Sequence, residues 1–154
     1  MVVSSTKGDF REFFGRIETD TNGVPTEAAV TIKAASVNTD NEDRDKHLRS
    51  PDFFDADNFP EVTFESTKIE KTDEGATIMG DLTIRGITRG VALPVSLSGP
   101  ITDPWGNVRI GLEGSTMINR KAFGMVWSQV LDAGGVVVDD VVKIDVSVEA
   151  IKNK

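Results

Sequence analysis

Apolar and polar residues alternate along most of the chain, a pattern typical of half-buried β-strands. The closing segment is the clearest case, because charged or polar residues separate the apolar positions Val142, Ile144, Val146, Val148 and Ala150. The same period of two runs through the segments AAVTIKA, EVTFEST, TIMGDLTI, VALPVSL and VRIGLEGSTMI. A further strand is predicted over residues 10–17, with a bulge at Gly15. The pattern therefore predicts about seven or eight strands.

Short glycine-bearing turns separate the predicted strands, which favours hairpin connections between sequence neighbours. These turns lie at residues 21–23, 73–75, 85–90 and 104–107. Strands joined in this way form an antiparallel meander. The predicted fold is therefore all-β, a barrel or a sandwich, within a single domain over residues 1–154.

One stretch, residues 41–60, departs from the alternating pattern. It holds six acids, three bases, the only histidine and three of the eight phenylalanines. Just before it, Thr39 and Glu42 have the spacing of a capping box, which marks the start of a helix. We therefore expect a short helical insertion near residues 40–58 between two strands.

The charges of this insertion are expected to pair along the helix surface and to face water. Glu42 with Lys46, and Asp45 with Arg49, are acid-before-base pairs four residues apart, a spacing that stabilises helices. Apolar side chains of the same stretch are expected to face inward. They are Leu48, Phe53, Phe54 and Phe59.

Composition limits the kinds of molecule that the protein can bind and the compartments in which it can occur. The net charge of -8 argues against nucleic acid, which requires a basic surface, and disfavours anionic membranes. Cysteine is absent, which excludes disulfides and thiol chemistry. No apolar run approaches the roughly 18 residues of a membrane span, so stable membrane insertion is not expected. Without a signal-like N-terminus, the sequence as written predicts a cytoplasmic protein, or a periplasmic or secreted one if a signal peptide has been removed.

Catalytic and metal chemistry find little support in the motifs. Counted from Asp40, the sixth position of a calcium loop is Asp45 instead of glycine, and the twelfth is Pro51 instead of glutamate. A nucleophile elbow is also absent, and His47 near Ser50 is more typical of a helix surface. Two carboxylates could still meet in space, although the sequence marks no particular pair. We expect no catalytic residues, no metal site, no cofactor and no enzymatic activity.

The interior of the predicted barrel allows two interpretations. A closed sheet of about eight strands can hold one small ligand or be filled by its own side chains. Gly80, Gly111 and Gly114 lie within strands. They could mark bends of a filled barrel or clear space for a long apolar ligand. The residues alone leave both interpretations open.

Several longer motifs, in order, resemble the YceI-like family. The family pattern Asn-x-x-Arg-Asp-x-His-Leu-Arg-Ser coincides with residues 41–50, and its Asp-Phe-Phe-Asp turn with residues 52–55. A Phe-Pro pair at residues 59–60 and a Thr-Phe-x-Ser strand at residues 63–66 follow. Further similarity lies in GDLTIRGITRGVALPV, DPWGNVRIGLEGSTMINRKAFGMVW and VVKIDVSVEAIK. The resemblance covers nearly the whole chain.

The resemblance implies a lipocalin-like antiparallel β-barrel that holds a long isoprenoid chain, such as a polyprenyl phosphate or a quinone. The protein would bind and sequester or carry this lipid, and the helical insertion would form a lid or side wall. The headgroup does not carry over, and no catalytic residues define the family. Two alternatives remain: an enzyme that modifies such a lipid, and an interaction module whose barrel is filled.

Candidate ligand-binding residues follow from the alternating faces and from the insertion. The predicted apolar cavity is lined by Phe13, Phe53, Phe54, Phe64, Leu82, Ile84, Leu112, Phe123 and Trp127. A polar headgroup would lie near basic residues, for which the candidates are Arg44, His47, Arg49, Arg120 and Lys121. The competing interpretation is that Arg49 pairs with Asp45 and that residues 120–121 form a solvated turn.

Strand pairing at the ends of the chain leads to a further expectation. Members of the family usually begin with an additional strand, whereas this sequence starts at Met1, where that strand would end. The strand over residues 10–17 and the closing strand would then both expose unpaired backbone. The two edges could close on each other as a smaller barrel, or two chains could meet edge to edge or exchange segments as a symmetric dimer. Since family members are commonly dimers, we expect a homodimer.

Overall fold

A computed structural model describes residues 6–128 and 139–153. Within these residues the chain forms nine β-strands, one α-helix and two short 3-10 helices. The strands are β1 (Asp9–Phe10), β2 (Phe13–Thr19), β3 (Pro25–Lys33), β4 (Val37–Asn38), β5 (Glu61–Lys71), β6 (Gly75–Ile84), β7 (Ile87–Thr102), β8 (Val108–Asn119) and β9 (Val141–Ile151). The helices are α1 (Glu42–Arg49) and the 3-10 helices Ala34–Ser36 and Arg120–Phe123.

Seven of the strands form one antiparallel sheet in the order β2-β3-β5-β6-β7-β8-β9. The short strands β1 and β4 pair separately. Ile17 on β2 packs against the cluster formed by strands β6, β7 and β8, so the sheet curls back over its own inner face. At the turn after β2, a Cβ added to Gly23 would lie 3.0 Å from the Pro100 ring on β7. The sheet is a half-barrel, which confirms the predicted all-β fold.

The half-barrel is open along one side. Strands β2 and β9 are the two ends of the sheet order, and no pairing joins them within the described residues. This confirms that the strand near residues 10–17 and the closing strand are edges, while full closure of the barrel, also expected, is not seen in this part of the chain. The gap between β2 and β9 is called the seam below.

The register confirms the alternation predicted for the inner face. Phe64 on β5 lies opposite Leu82 on β6, and Leu112 on β8 lies opposite Val148 on β9. Every second residue of β9 from Val142 to Ala150 therefore shares the inner face with the buried residues of its neighbours. The bulge predicted at Gly15 was wrong, because that residue pairs regularly with Val30. The irregularity lies instead between Glu18 and Thr19.

Two clusters of buried apolar residues fill the inner face. The insertion cluster lies under α1 and the residues that follow it, and it comprises Ala34, Phe53, Ala56, Val62, Leu82, Ile84, Ile118, Phe123 and Met125. The far cluster lies toward the opposite end of the sheet and comprises Ala76, Ile78, Val95 and Leu112. Phe64 packs against both clusters and joins them.

Candidate functional site

Hydrogen bonds to Thr39, which follows the short strand β4, fix the position of helix α1. Helix α1 begins at Asn41, whose side chain accepts a hydrogen bond from the Arg44 N–H at 3.0 Å. The predicted cap, Thr39, instead donates its N–H to the Asp45 carboxylate at 2.8 Å and its hydroxyl to the same oxygen. Arg44 donates from Nε to the Thr39 hydroxyl at 2.8 Å and from Nη2 to its carbonyl at 2.9 Å. Hydrogen bonds that join Thr39 to Arg44 and Asp45 therefore replace the expected capping box.

Asp45 is buried, which corrects the expectation that the charges of the insertion face water. The hydrogen bond from the Thr39 side chain lowers the pKa of Asp45, and burial opposes this shift. The nearby Arg49 and Arg44 favour the carboxylate further. Among the ion pairs of the described residues, neither Asp45–Arg49 nor Glu42–Lys46 occurs. Asp45 thus holds the helix to Thr39, the residue that follows β4, in place of the predicted surface pairing.

The chain after α1 folds back and directs its aromatic residues inward. The Ser50 hydroxyl donates to the His47 carbonyl at 2.6 Å, and the Phe54 N–H donates to the Leu48 carbonyl at 2.9 Å. This turn buries Phe53 and half-buries Phe54, whose ring meets the Phe10 ring edge to face at a centroid distance of 5.4 Å. The predicted inward direction of these phenylalanines is confirmed.

An aromatic group joins the insertion to the segment after the second 3-10 helix. His47 lies edge-on to Phe53 and to Trp127, at centroid distances of 5.1 and 4.6 Å, and Phe53 lies 5.5 Å from Trp127. The His47 Nε2 atom is 2.8 Å from the Asp52 carboxylate. The fold therefore brings together three residues that the sequence predicts separately. His47 is a headgroup candidate, and Phe53 and Trp127 are cavity candidates.

Arg120 is 2% exposed, so residues 120–121 are not the solvated turn that was considered. Its Nε donates to the Asp139 carbonyl at 2.8 Å, and its Nη1 donates to the carbonyls of Met125 and Trp127 at 2.6 and 2.7 Å. Its Nη2 lies 3.5 Å from an Asp140 carboxylate oxygen. Arg120 therefore positions the segment that carries Trp127. The neighbouring Lys121 is exposed.

The remaining cavity candidates differ in how far they reach the interior. Leu82, Ile84 and Phe123 are buried in the insertion cluster, with Phe64 packed beside them, whereas Leu112 belongs to the far cluster. Phe13 lies in the inner-face register but at the sheet edge, where it is 55% exposed. The structure thus brings most of the predicted set together around one end of the inner face and places Phe13 beside the seam.

Gly80 makes room for an aromatic ring. A Cβ at this position would lie 2.6 Å from the Phe64 ring, so only glycine lets the ring lie against β6. Gly111 faces the Ser98 hydroxyl, which lies 2.5 Å from the position of its added Cβ. The space above Gly80 is therefore filled by the chain itself in this conformation.

Along the seam, the inner face offers an accessible apolar surface. The row Ile144, Val146 and Val148 on β9 is only half-buried, and among its register partners on β8 only Leu112 is buried. This row continues into the insertion cluster, against which Ile144 packs. Sequence reasoning missed these residues as site candidates, although their alternation was the clearest pattern in the chain. They form a path from solvent to the interior.

The outer face carries a depression of a different chemistry. It measures about 430 Å³ and lies over strands β7, β8 and β9. The side chains that point into it alternate with the apolar inner-face residues and include Ser96, Ser98, Glu113 and Glu149. Since these groups are small or acidic, the depression does not suit an apolar ligand.

Two further findings concern the described residues only. No group of three or more histidine or carboxylate side chains is arranged to hold a metal ion in the part of the chain that the structure describes. In the same residues, no helix combines the length and the apolar character needed to cross a bilayer.

At the level of sequence, the chain is similar to a family of small bacterial proteins. A family model described as the YceI-like domain matches residues 1–150. A UPF0312 protein of Photorhabdus laumondii is 43% identical over 117 residues, which cover 75% of this chain and 61% of that protein. The chain therefore spans less than two thirds of the length of this relative.

Solved structures share the same fold. The crystal structure of the YceI protein of Campylobacter jejuni matches with a TM-score of 0.87 and 31% identity, over 100% of this chain and 89% of that one. A polyisoprenoid binding domain from Saccharophagus degradans matches with a TM-score of 0.67 and 16% identity, over 94% of this chain and 88% of that domain. At that identity, the second match is evidence for the fold alone.

Proposed function

The chain belongs to the YceI-like family, and on this premise we propose that it binds and sequesters or carries a long apolar lipid of isoprenoid type. A polyprenyl phosphate or a quinone would lie with its chain along the inner face of the half-barrel. The Saccharophagus degradans neighbour, named a polyisoprenoid binding domain, suggests the ligand class. The expected ligand is this lipid, and no cofactor or metal takes part.

The observation that carries the proposal is the half-buried apolar row on β9. Ile144, Val146 and Val148 line the seam and lead inward to the insertion cluster. Burial of apolar surface is favourable by roughly 25 cal/mol for each Å² that is removed from water. An extended hydrocarbon chain matches such a linear surface, since it needs contact along its length and few polar partners.

Entry of the chain into the interior requires one side chain to move. Phe64 joins the two apolar clusters and fills the space above Gly80. Because Phe64 is only partly buried, its ring can leave this position at a lower cost than a core ring. The ligand would then replace the ring between the two clusters.

The headgroup would lie at the insertion end, near exposed basic side chains. Arg44 and Lys121 are exposed there, and His47 and Arg49 are half-buried. Arg44 also donates to Thr39, and Lys121 Nζ lies 3.4 Å from an Asp140 carboxylate oxygen, so a headgroup would compete with these partners at the surface. The buried Arg120 is less suitable, since its donors hold the segment around Trp127. Reversing the charge with Lys121→Glu should weaken binding of a phosphate-bearing lipid and leave a neutral quinone unaffected. Equal effects on both ligands would argue against an electrostatic role.

Native mass spectrometry of protein freshly purified from cells tests the main proposal. A non-covalent adduct with the mass of an isoprenoid lipid is expected. Val146→Asp should remove it, because the charge would lie on the apolar path at the sheet edge. Ser147→Asp is the matched control, since Ser147 is the next residue on the same strand and faces outward. Adduct retained by Val146→Asp, with a stable fold, would refute the site.

Leu82→Asp probes the interior itself. Leu82 is buried in the insertion cluster, so a carboxylate there should abolish lipid uptake or the fold. Unchanged lipid uptake and unchanged stability would show that the lipid does not bind in the interior. The lipid recovered after incubation with the protein should be chemically unchanged, because the proposal is one of binding and not of catalysis.

A second candidate is an interaction module with a filled interior. Phe64 over Gly80 and the contact between the two clusters favour it, because they leave the interior packed. The same mass measurement separates the two functions. Purified protein without any adduct, and without uptake of an added quinone, would support the filled module.

The two bare edges support a homodimer as well. Within residues 6–128 and 139–153, strands β2 and β9 have no partner on their outer sides and flank an apolar seam, which a second copy could cover symmetrically. Light scattering at micromolar concentration should give twice the 16.7 kDa mass of the chain. A monomer in that measurement would show that the seam is covered in another way.

A further inference from the structure

The hairpin between β7 and β8 exposes apolar side chains at the far end of the sheet. Trp105, near its tip, is 79% exposed. Ile101 and Ile151 are 64% and 50% exposed and lie in one register row, on either side of Arg109. These three apolar residues, Trp105, Ile101 and Ile151, are called the far-end patch below.

The backbone of this hairpin is held rigidly. The Asp103 carboxylate accepts hydrogen bonds from the N–H groups of Trp105 and Asn107, each at 2.9 Å. The Asp103 N–H donates to the Asn107 carbonyl at 2.9 Å, and Gly106 adopts a φ of 84° that closes the turn. Trp105 is therefore presented on an ordered turn, and its exposure is a property of the fold.

The charges beneath the patch cancel. Arg109 donates from Nε to the Asp103 carboxylate at 2.8 Å and from Nη1 to the Glu149 carboxylate at 2.6 Å. With Lys152 at the end of β9, two acids and two bases give a local charge of zero, against -8 for the whole chain. The hydrogen bond from Arg109 lowers the pKa of Asp103 from 3.8 to about 2, so Asp103 keeps its charge beside Arg109 in moderately acidic solution as well. The patch is thus both apolar and locally neutral on an acidic protein.

From this combination we infer that the far-end patch docks the protein reversibly on the surface of a lipid bilayer with zwitterionic headgroups. A tryptophan ring has an apolar body and one N–H donor, which suits it to the headgroup region of a membrane. Because the local charge is zero, docking does not require an unpaired charge to lose its water, which would cost free energy. The net charge of -8 would repel the protein from anionic vesicles.

A bilayer fits the patch better than a protein partner does. A stable protein interface buries about 800 Å² on each side with good shape complementarity. Three exposed side chains offer much less than that area, whereas a bilayer adapts its shape to whatever apolar side chains enter it. This inference goes beyond the proposed lipid binding and stands on the hairpin alone. Where both hold, docking would bring the far end of the seam to the membrane.

Vesicles of pure phosphatidylcholine, mixed with the full chain and separated by flotation, test the inference. The wild-type protein should float with the vesicles, and its tryptophan emission should shift to shorter wavelength. Trp105→Ala should weaken partitioning by about tenfold, the effect of losing one buried aromatic contact. Ile101→Ala and Ile151→Ala should each weaken it about threefold. Phe14→Ala is the matched control, because Phe14 is 64% exposed but lies on β2.

Three results would overturn the inference. They are wild-type protein that fails to float, Trp105→Ala that floats as well as the wild type, and Phe14→Ala that loses as much affinity as Trp105→Ala. Loss of a dimer in Trp105→Ala, seen by light scattering without vesicles, would assign the patch to a second copy instead. The vesicles contain no isoprenoid lipid, so a protein that floats but yields no lipid adduct would keep this inference and refute the proposed function.

Discussion

The two ends of the half-barrel are built in opposite ways. At the insertion end, nine buried apolar residues form one cluster, and the buried polar groups Thr39, Asp45, Asp55 and Arg120 lie around it. At the far end, the cluster has four buried residues, and Trp105 and Ile101 project into solvent. Helix α1 and the chain that follows it cover the first of these ends, whereas Ile17 on β2 covers the far end, where the sheet curls back.

This difference indicates where the fold tolerates the least change. Buried polar side chains stabilise a fold only when their partners are all in place, so the insertion end is ordered by a network that tolerates little change. The far end has fewer such constraints. Exposed apolar side chains, which often mark binding surfaces, lie at both ends, with Trp105 and Ile101 at the far end and Met117 and Val126 at the insertion end. We therefore expect substitutions of buried residues at the insertion end to affect folding most.

Removing one buried side chain from each cluster should give the largest effect and test this contrast. Phe123→Ala should lower the free energy of unfolding by about 4 kcal/mol, since it leaves a cavity between two layers. Leu112→Ala should cost about 2–3 kcal/mol, because Leu112 belongs to a smaller cluster of four buried residues, which can relax more readily into the space. Urea unfolding measures both. Equal losses would show that the two ends are packed alike.

Replacing Arg120 should rank next. Arg120→Met keeps much of the side-chain volume but leaves the carbonyls of Met125 and Trp127 without their donor. A loss of about 3 kcal/mol in unfolding free energy is expected, from the cost of unsatisfied buried acceptors. Lys121→Met, at the exposed neighbouring position, should stay within about 0.5 kcal/mol of the wild type. Equal losses of unfolding free energy in the two variants would show that Arg120 does not hold the segment around Trp127.

Acid should weaken both ends through carboxylates whose pKa is lowered in the fold. Hydrogen bonds from Thr39 and from Arg109 lower the pKa values of Asp45 and Asp103, the latter from 3.8 to about 2. A lowered pKa stabilises the fold above the unfolded value and loses that effect as the pH falls through the folded value. The stability gap between wild type and Asp103→Asn should therefore narrow from about pH 4 toward pH 2, as thermal unfolding would measure. A gap that stays constant over this range would contradict the assignment.

The smallest effect is expected at the surface of the insertion. His47 and Asp52 pair at 2.8 Å, but both side chains are partly exposed to solvent. Asp52→Asn should change the unfolding free energy by about 0.5 kcal/mol or less, as is usual for exposed pairs. A loss of 2 kcal/mol or more, on the scale of a buried charge, would move this pair into the ordered network of the insertion end.

The strands could be predicted because their signal is local. Alternation in β9 fixed which residues face inward, and the register confirms it from Val142 to Ala150. The two-residue strands β1 and β4 are too short to show any period, so they were missed. The helix was found, but its cap was assigned to Thr39, because spacing cannot show that Thr39 bonds to Asp45 instead.

The candidate site was predictable in its apolar residues and not in its polar ones. Phe53 and Trp127 were chosen for their type, and the fold brings them within 5.5 Å. The burial of Arg120 left no trace in the sequence, because the carbonyls of Met125, Trp127 and Asp139 become its partners only after the chain has folded. The ligand-binding roles of all these residues stay predictions.

The edge strands β2 and β9, which have no further partner in the described residues, also favour self-association of the protein in solution. Pairing β2 of one copy with β9 of the next is a head-to-tail contact, which closes into a small assembly where the rotation between copies allows it and otherwise grows into filaments. Mutual repulsion from a net charge of -8 opposes this growth at neutral pH. Near the isoelectric point of about 4.6 the repulsion disappears, and solutions should turn turbid there before the fold itself is lost.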